Sequence, residues 1–115
     1  MVGKDMQSET REEQGVCIVA LEGDIDLEQS PKAREVLLEC VGRGVPVLVD
    51  LAKVGYIDSS GVASLVEALQ QARTQDNRFA LVSPSVGVRR VLELARLDKV
   101  FVIHDSLEEG LGGGA

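Results

Sequence analysis

The chain has 115 residues, 44% of them hydrophobic, with aromatics at only 3% and no Trp. That length suits one compact domain burying roughly two-thirds of its unfolded surface, with a Val, Leu, Ile and Ala core of the kind found in parallel sheets covered by helices. A net charge of −7 argues against a nucleic-acid or anionic-membrane surface, both of which need clustered Lys and Arg.

No apolar run approaches the roughly 18 residues that span a bilayer, so no membrane insertion is expected. Met1–Glu13 lacks the apolar stretch of a signal peptide, and cytoplasmic residence is the expectation. Residues 1–14 are polar and hold at most a weak edge strand around Met6–Arg11, with Glu13-Gln14-Gly15 turning into the next strand.

Val16–Leu21 is short and continuously apolar, as in a central strand, and Glu22–Asp26 closes it with a polar turn. Ser30-Pro31 predicts a helix start, with Ser30 as cap and Pro31 at the first helical position. Ala33, Val36, Leu37, Cys40 and Val41 recur at helical spacing until Gly42-Arg43-Gly44 stops the helix. Val45–Leu51 is the second buried strand, with Pro46 confined to its first residue or to an edge. A loop, Ala52–Gly55, then leads through Tyr56-Ile57 to Asp58-Ser59-Ser60-Gly61.

Val62, Leu65, Val66 and Leu69 form one apolar stripe and predict a helix running to about Arg73. After the polar connection Thr74–Arg78, Phe79–Val82 is a third core strand and Ser83-Pro84-Ser85 starts another helix. Val88, Val91, Leu92 and Ala95 mark that helix's buried face, and Val100–Ile103 is a fourth strand. Asp105-Ser106-Leu107-Glu108 has the spacing of a capping box before a short terminal helix. The expected organisation is thus a polar segment over 1–14, one domain over 15–109 and a flexible Gly-rich tail over 110–115. The alternation of strands and helices implies an α/β fold: a mostly parallel four- to five-stranded sheet, an antiparallel edge strand and about four helices.

Cys17 and Cys40 fall at apolar positions and read as two small buried thiols; a disulfide framework or a structural zinc site needs a denser pattern. The serine pair stands where a helix begins, so a hydroxyl there could cap the helix, act as a nucleophile or accept a phosphate. G-x-S-x-G is absent, and the only His, His104, lies beyond the last strand, so a hydrolase lacks its base. Neither phosphate-binding glycine motif occurs, which leaves no expected cofactor. Asp24 with Asp26, and Asp50 with Asp58, could gather at one sheet rim and hold Mg²⁺; turn and cap chemistry explains them as well.

Taken in order, several segments of Val16–Leu107 resemble a STAS domain, the fold of bacterial anti-sigma factor antagonists. They are Gly23-Asp24-Ile25-Asp26, Val47–Leu51 with Tyr56–Gly61, Phe79–Ser83, Val88–Val91 and Leu94–Phe101. The resemblance implies that Ser59, directly after Asp58, is the phosphoacceptor of a partner anti-sigma factor kinase that supplies ATP. A serine phosphatase would reset the switch and release of a sigma factor would be the output; Asp24, Asp26, Asp58, Ser60, Gly61 and Val62 would meet the partner. STAS domains also resemble small subunits of lipid-transport ABC systems and stress-signalling scaffolds, where docking would need no phosphorylation. Periodicity does not sort Tyr56, Val62 and Leu65 into core and interface.

Overall fold

A computed structural model describes residues 5–112. The described elements are β1 (Gln7–Glu13), β2 (Val16–Ile25), α1 (Ser30–Val41), β3 (Val47–Ile57), α2 (Ser59–Thr74), β4 (Phe79–Val82), α3 (Val86–Leu94), β5 (Val102–His104) and α4 (Leu107–Gly112). They form one sheet in the order β1-β2-β3-β4-β5, with β1 antiparallel to β2 and every other neighbouring pair parallel. Gln14 and Gly15, both left-handed at φ 53° and 76°, make the tight β1–β2 turn that matches the twist of the strands.

Alternation along the strands sorts the core into two layers. Cys17, Val19 and Leu21 of β2, Val47, Val49 and Leu51 of β3, and Phe79 and Leu81 of β4 pack with α1, α2 and α3. Ile18, Leu48, Ala80 and Val82 face the other way, where Leu107 and Leu111 of α4 cover them. Gly110 allows this approach, since a Cβ there would lie 2.8 Å from Val82 Cγ1 and 3.0 Å from Leu48 Cδ1.

Several boundaries differ from the sequence reading, each for a physical reason. The turn expected over Glu22–Asp26 is strand as far as Ile25, and the loop expected over Ala52–Gly55 is the middle of β3. The register explains both. Ala20 and Glu22 pair with Asp50 and Lys53, and Gly23 and Asp24 with Val54 and Tyr56, so β3 twice spends one residue more than β2. Two bulges turn the usual two-residue alternation into a three-residue step, Leu51, Val54, Ile57, which does not look like a strand in sequence. Gly23, at φ 100°, belongs to this distorted stretch; a Cβ on it would meet the Asp5 carbonyl oxygen at 2.7 Å.

Ser30 does not cap α1. Gln29 occupies that position without a side-chain cap, its amide oxygen accepting instead from Met6 N–H at 3.1 Å, while Ser30 Oγ donates to the Leu27 carbonyl. The last capping box is shifted by one residue: Ser106 Oγ accepts from Glu109 N–H and Glu109 Oε1 from Asp105 N–H, both at 3.1 Å. Ala95 is exposed past the end of α3. The expected tail loses Gly110–Gly112 to α4, and residues 113–115 lie outside the described residues. Among the described residues no helix is long and apolar enough to cross a membrane.

Leu37 is fully buried against the sheet whereas Leu27 is 75% exposed. Leu37→Ala should therefore cost about 2–5 kcal/mol in urea unfolding and Leu27→Ala no more than about 0.5 kcal/mol.

Candidate functional site

β3 ends at Ile57, and the next residue reverses the chain into α2. Asp58 takes the extended geometry of an N-cap, φ −106° and ψ −172°. Its Oδ1 accepts from Ser60 N–H at 3.0 Å, Gly61 N–H at 3.1 Å and Ser60 Oγ at 2.6 Å. Its own N–H donates to the Ile25 carbonyl at 3.2 Å, tying the start of α2 to the end of β2. The cap that the sequence reading gives to one of the serines thus belongs to Asp58.

Burial acts to raise the Asp58 pKa, but the Ser60 hydroxyl and the amides of Gly61, Ser60 and Leu27 together hold it below the ordinary aspartate value. The hydroxyl of Ser60 is occupied by the same carboxylate. Ser59 differs: its side chain is exposed, and no hydrogen bond from the described residues holds its hydroxyl. Gly61 and Val62 lie behind the surface. A Cβ on Gly61 would sit 2.6 Å from both the Ile25 carbonyl oxygen and Ile57 Cγ1, and Val62 is only 8% exposed. Leu65 is buried as well, and Tyr56 alone of the three unsorted apolar residues is open, at 52%.

The parallel strands bring three more segments to this rim. Asp24 pairs with Tyr56 near the strand ends, partly exposed and beside Gly55. Asp26 is a turn former: its Oδ1 accepts from Gln29 N–H at 3.0 Å and its carbonyl from Ser30 N–H at 2.8 Å, directing the chain into α1. Val86 opens α3, whose next residue, Gly87, packs against the Gly55 carbonyl. Leu27 and Val86, 75% and 78% exposed, complete an apolar fringe that the sequence reading missed. The signal was present but faint, since each is an apolar residue outside the periodic stripe of its neighbours.

Asp50 does not join this rim. Because β3 continues to Ile57, Asp50 sits seven residues before its end, accepting from Ala52 N–H at 3.0 Å on a groove shared with Arg11 and Lys53. Among the described residues no three His, Cys, Asp or Glu side chains are grouped to hold a metal ion. His104 lies in β5, its Nε2 buried without a hydrogen-bond partner, and neither serine bonds to it.

The sequence model of the STAS domain matches residues 7–110. The chain belongs to the STAS domain family. This STAS domain is 30% identical over 94 residues to the anti-sigma-B factor antagonist of Listeria monocytogenes, covering 81% of the chain and 82% of that protein. A putative anti-sigma factor antagonist homolog of Thermotoga neapolitana is 37% identical over 65 residues, 56% of this chain and 58% of that relative's length. The solved structure of an anti-sigma factor antagonist from Mycobacterium paratuberculosis has the same fold, with a TM-score of 0.87 and 24% identity over 95% of this chain and 93% of that one.

Removing the Asp58 carboxylate should show what the cap contributes. Asp58→Ala should lose about 1 kcal/mol of stability. Because the folded-state pKa is depressed, this contribution is complete above the unfolded value near 4 and fades as pH falls through the folded one. Urea midpoints of wild type and Asp58→Ala should therefore differ at neutral pH and converge in acid. A pH-independent gap would contradict a cap made by the ionised carboxylate.

Proposed function

We propose that this STAS domain is an anti-sigma factor antagonist: it binds an anti-sigma factor serine kinase through the rim around Ser59, and phosphorylation of Ser59 releases it. The observation that carries this reading is the state of Ser59, an exposed hydroxyl without a hydrogen-bond partner in a turn whose cap is made by Asp58, with the Ser60 hydroxyl held by the same carboxylate. A kinase can take that hydroxyl without dismantling the helix start. The kinase supplies ATP and the phosphotransfer machinery, and a serine phosphatase restores the hydroxyl. The antagonist itself acts in the cytoplasm as a binding protein, with no catalysis and no cofactor of its own.

Asp24, Asp26, Asp58 and Ser60 form the polar part of the proposed contact, and Leu27, Tyr56 and Val86 the apolar part. Gly61 and Val62 serve it from behind by fixing the height and direction of the first helical turn. A phosphate on Ser59 adds about −1.5 to −2 charges. Asp58 already engages the Ser60 and Gly61 amides, so the phosphate gains little from the helix end beyond its dipole and remains a solvated, repelling group. About 2.7 kcal/mol lost at the interface weakens binding about a hundredfold.

Incubation with the cognate kinase and labelled ATP should modify wild type but not Ser59→Ala, while Ser59→Asp weakens kinase binding by about a hundredfold. Equal phosphate incorporation into Ser59→Ala would rule the site out, and undiminished binding of a fully phosphorylated sample would favour docking without a switch. In calorimetric titrations of the unphosphorylated protein, Leu27→Ala and Tyr56→Ala should each weaken binding by about tenfold. Leu94→Ala, 79% exposed at the far end of α3, should leave it unchanged.

A further inference from the structure

Cys17 and Cys40 are far apart in sequence but meet in the core. Cys17 lies on β2 and Cys40 in the last turn of α1, and their Sγ atoms are 2.9 Å apart, both fully buried and both free thiols. That separation is within about 1 Å of the S–S bond length, about 2.05 Å, so small side-chain shifts would bring the sulfurs to bonding distance. Both sulfurs are closed off from solvent, but a groove lies beside them. On the same face, β1 and α1 leave a groove lined by Thr10, Glu39 and Arg43 among others, and Thr10 touches the Cys40 thiol. Glu12, the register partner of Cys17, is paired with Arg43 at 3.3 Å, and Arg43 in turn with Glu39 at 3.0 Å. These pairs are exposed, and exposed pairs open readily.

We infer that Cys17 and Cys40 form a convertible dithiol, which a hydroperoxide entering between β1 and α1 closes to an intramolecular disulfide joining α1 to β2. One sulfur attacks the hydroperoxide oxygen; the O–O bond breaks, an alcohol (or water from hydrogen peroxide) leaves, and a sulfenic acid remains. The second sulfur attacks the sulfenic sulfur, the S–O bond breaks, and its hydroxyl leaves as water with the second thiol proton. The two thiols lose two electrons in all and the peroxide gains them. Burial, reinforced by the neighbouring Cys17, pushes the Cys40 thiol up to about 12, so Cys40 carries little thiolate in the closed state. The conversion is slow and limited by opening of the Arg43 cover, the behaviour of a structural lock rather than a rapid sensor.

The test treats reduced, folded protein with hydrogen peroxide, then denatures it, alkylates free thiols and maps peptides by mass spectrometry. A peptide pair joined through Cys17 and Cys40, loss of alkylation at both, and a melting temperature raised by about 10 °C are the expected results. Arg43→Ala should speed closure several-fold, and Cys17→Ala should give no internal link. Full alkylation of both thiols after peroxide treatment would overturn the inference. So would joined peptides that arise only from denatured protein, or a link between two chains. An unchanged rate in Arg43→Ala would overturn the route.

Discussion

The carboxylate of Asp58 is the point on which the rim is built. Three donors converge on one oxygen, two of them amides that the first turn of α2 would otherwise leave unpaired. The same residue's N–H reaches the Ile25 carbonyl, so the cap fixes α2 to β2 as well as to β3. That contact exists only because the two bulges in β3 bring Ile57 level with Ile25. Gly61 completes the arrangement, since any side chain there would collide with Ile25 and Ile57. Asp58, Ser60 and Gly61 are thereby committed to the helix start, and the hydroxyl left without a partner among the described residues is that of Ser59.

This division changes how a phosphate would be received. A free helix N-terminus attracts anions through its amides and its dipole. Here two of those amides, of Ser60 and Gly61, are occupied by a carboxylate whose pKa is held below the ordinary aspartate range. The dipole contribution at an exposed end is about 0.3–1 kcal/mol, and Asp58 opposes it at close range. The fold would neither need nor strongly bind a phosphate on Ser59, which suits the proposed action of that group on a partner.

Much of the fold was legible in the sequence. Continuous apolar runs gave β2 and β4, a single stripe gave α2, and the serine and proline starts placed α1 and α3 within a residue or so. What escaped lies where β3 departs from ordinary pleating. Ala52, Lys53 and Gly55 look like a loop because buried residues recur every third position, a pattern set by pairing with β2 that local periodicity does not contain. The same blind spot placed Asp50 at the rim and grouped four carboxylates that the fold divides. The string Asp58–Gly61 marked a strand-to-helix turn but not which side chain caps it; that depends on backbone angles at Asp58. The contact of Cys17 with Cys40 was equally hidden, since it depends on how α1 lies across β2.

Magnitudes explain why the rim combines acidic and apolar groups. Leu27, Tyr56 and Val86 each offer at most about 1.5–3 kcal/mol on full burial, and less from their partly exposed starting points. That total supports specific association but leaves a modest margin. On the proposed reading, placing an unpaired phosphate in the desolvated contact costs a few kcal/mol, enough to offset a large part of the apolar gain. The surrounding carboxylates of Asp24, Asp26 and Asp58 add repulsion and offer no cation to neutralise it. On the proposed reading, an interface of this strength would be releasable because it is small, and a single hydroxyl at its centre would be sufficient to govern it.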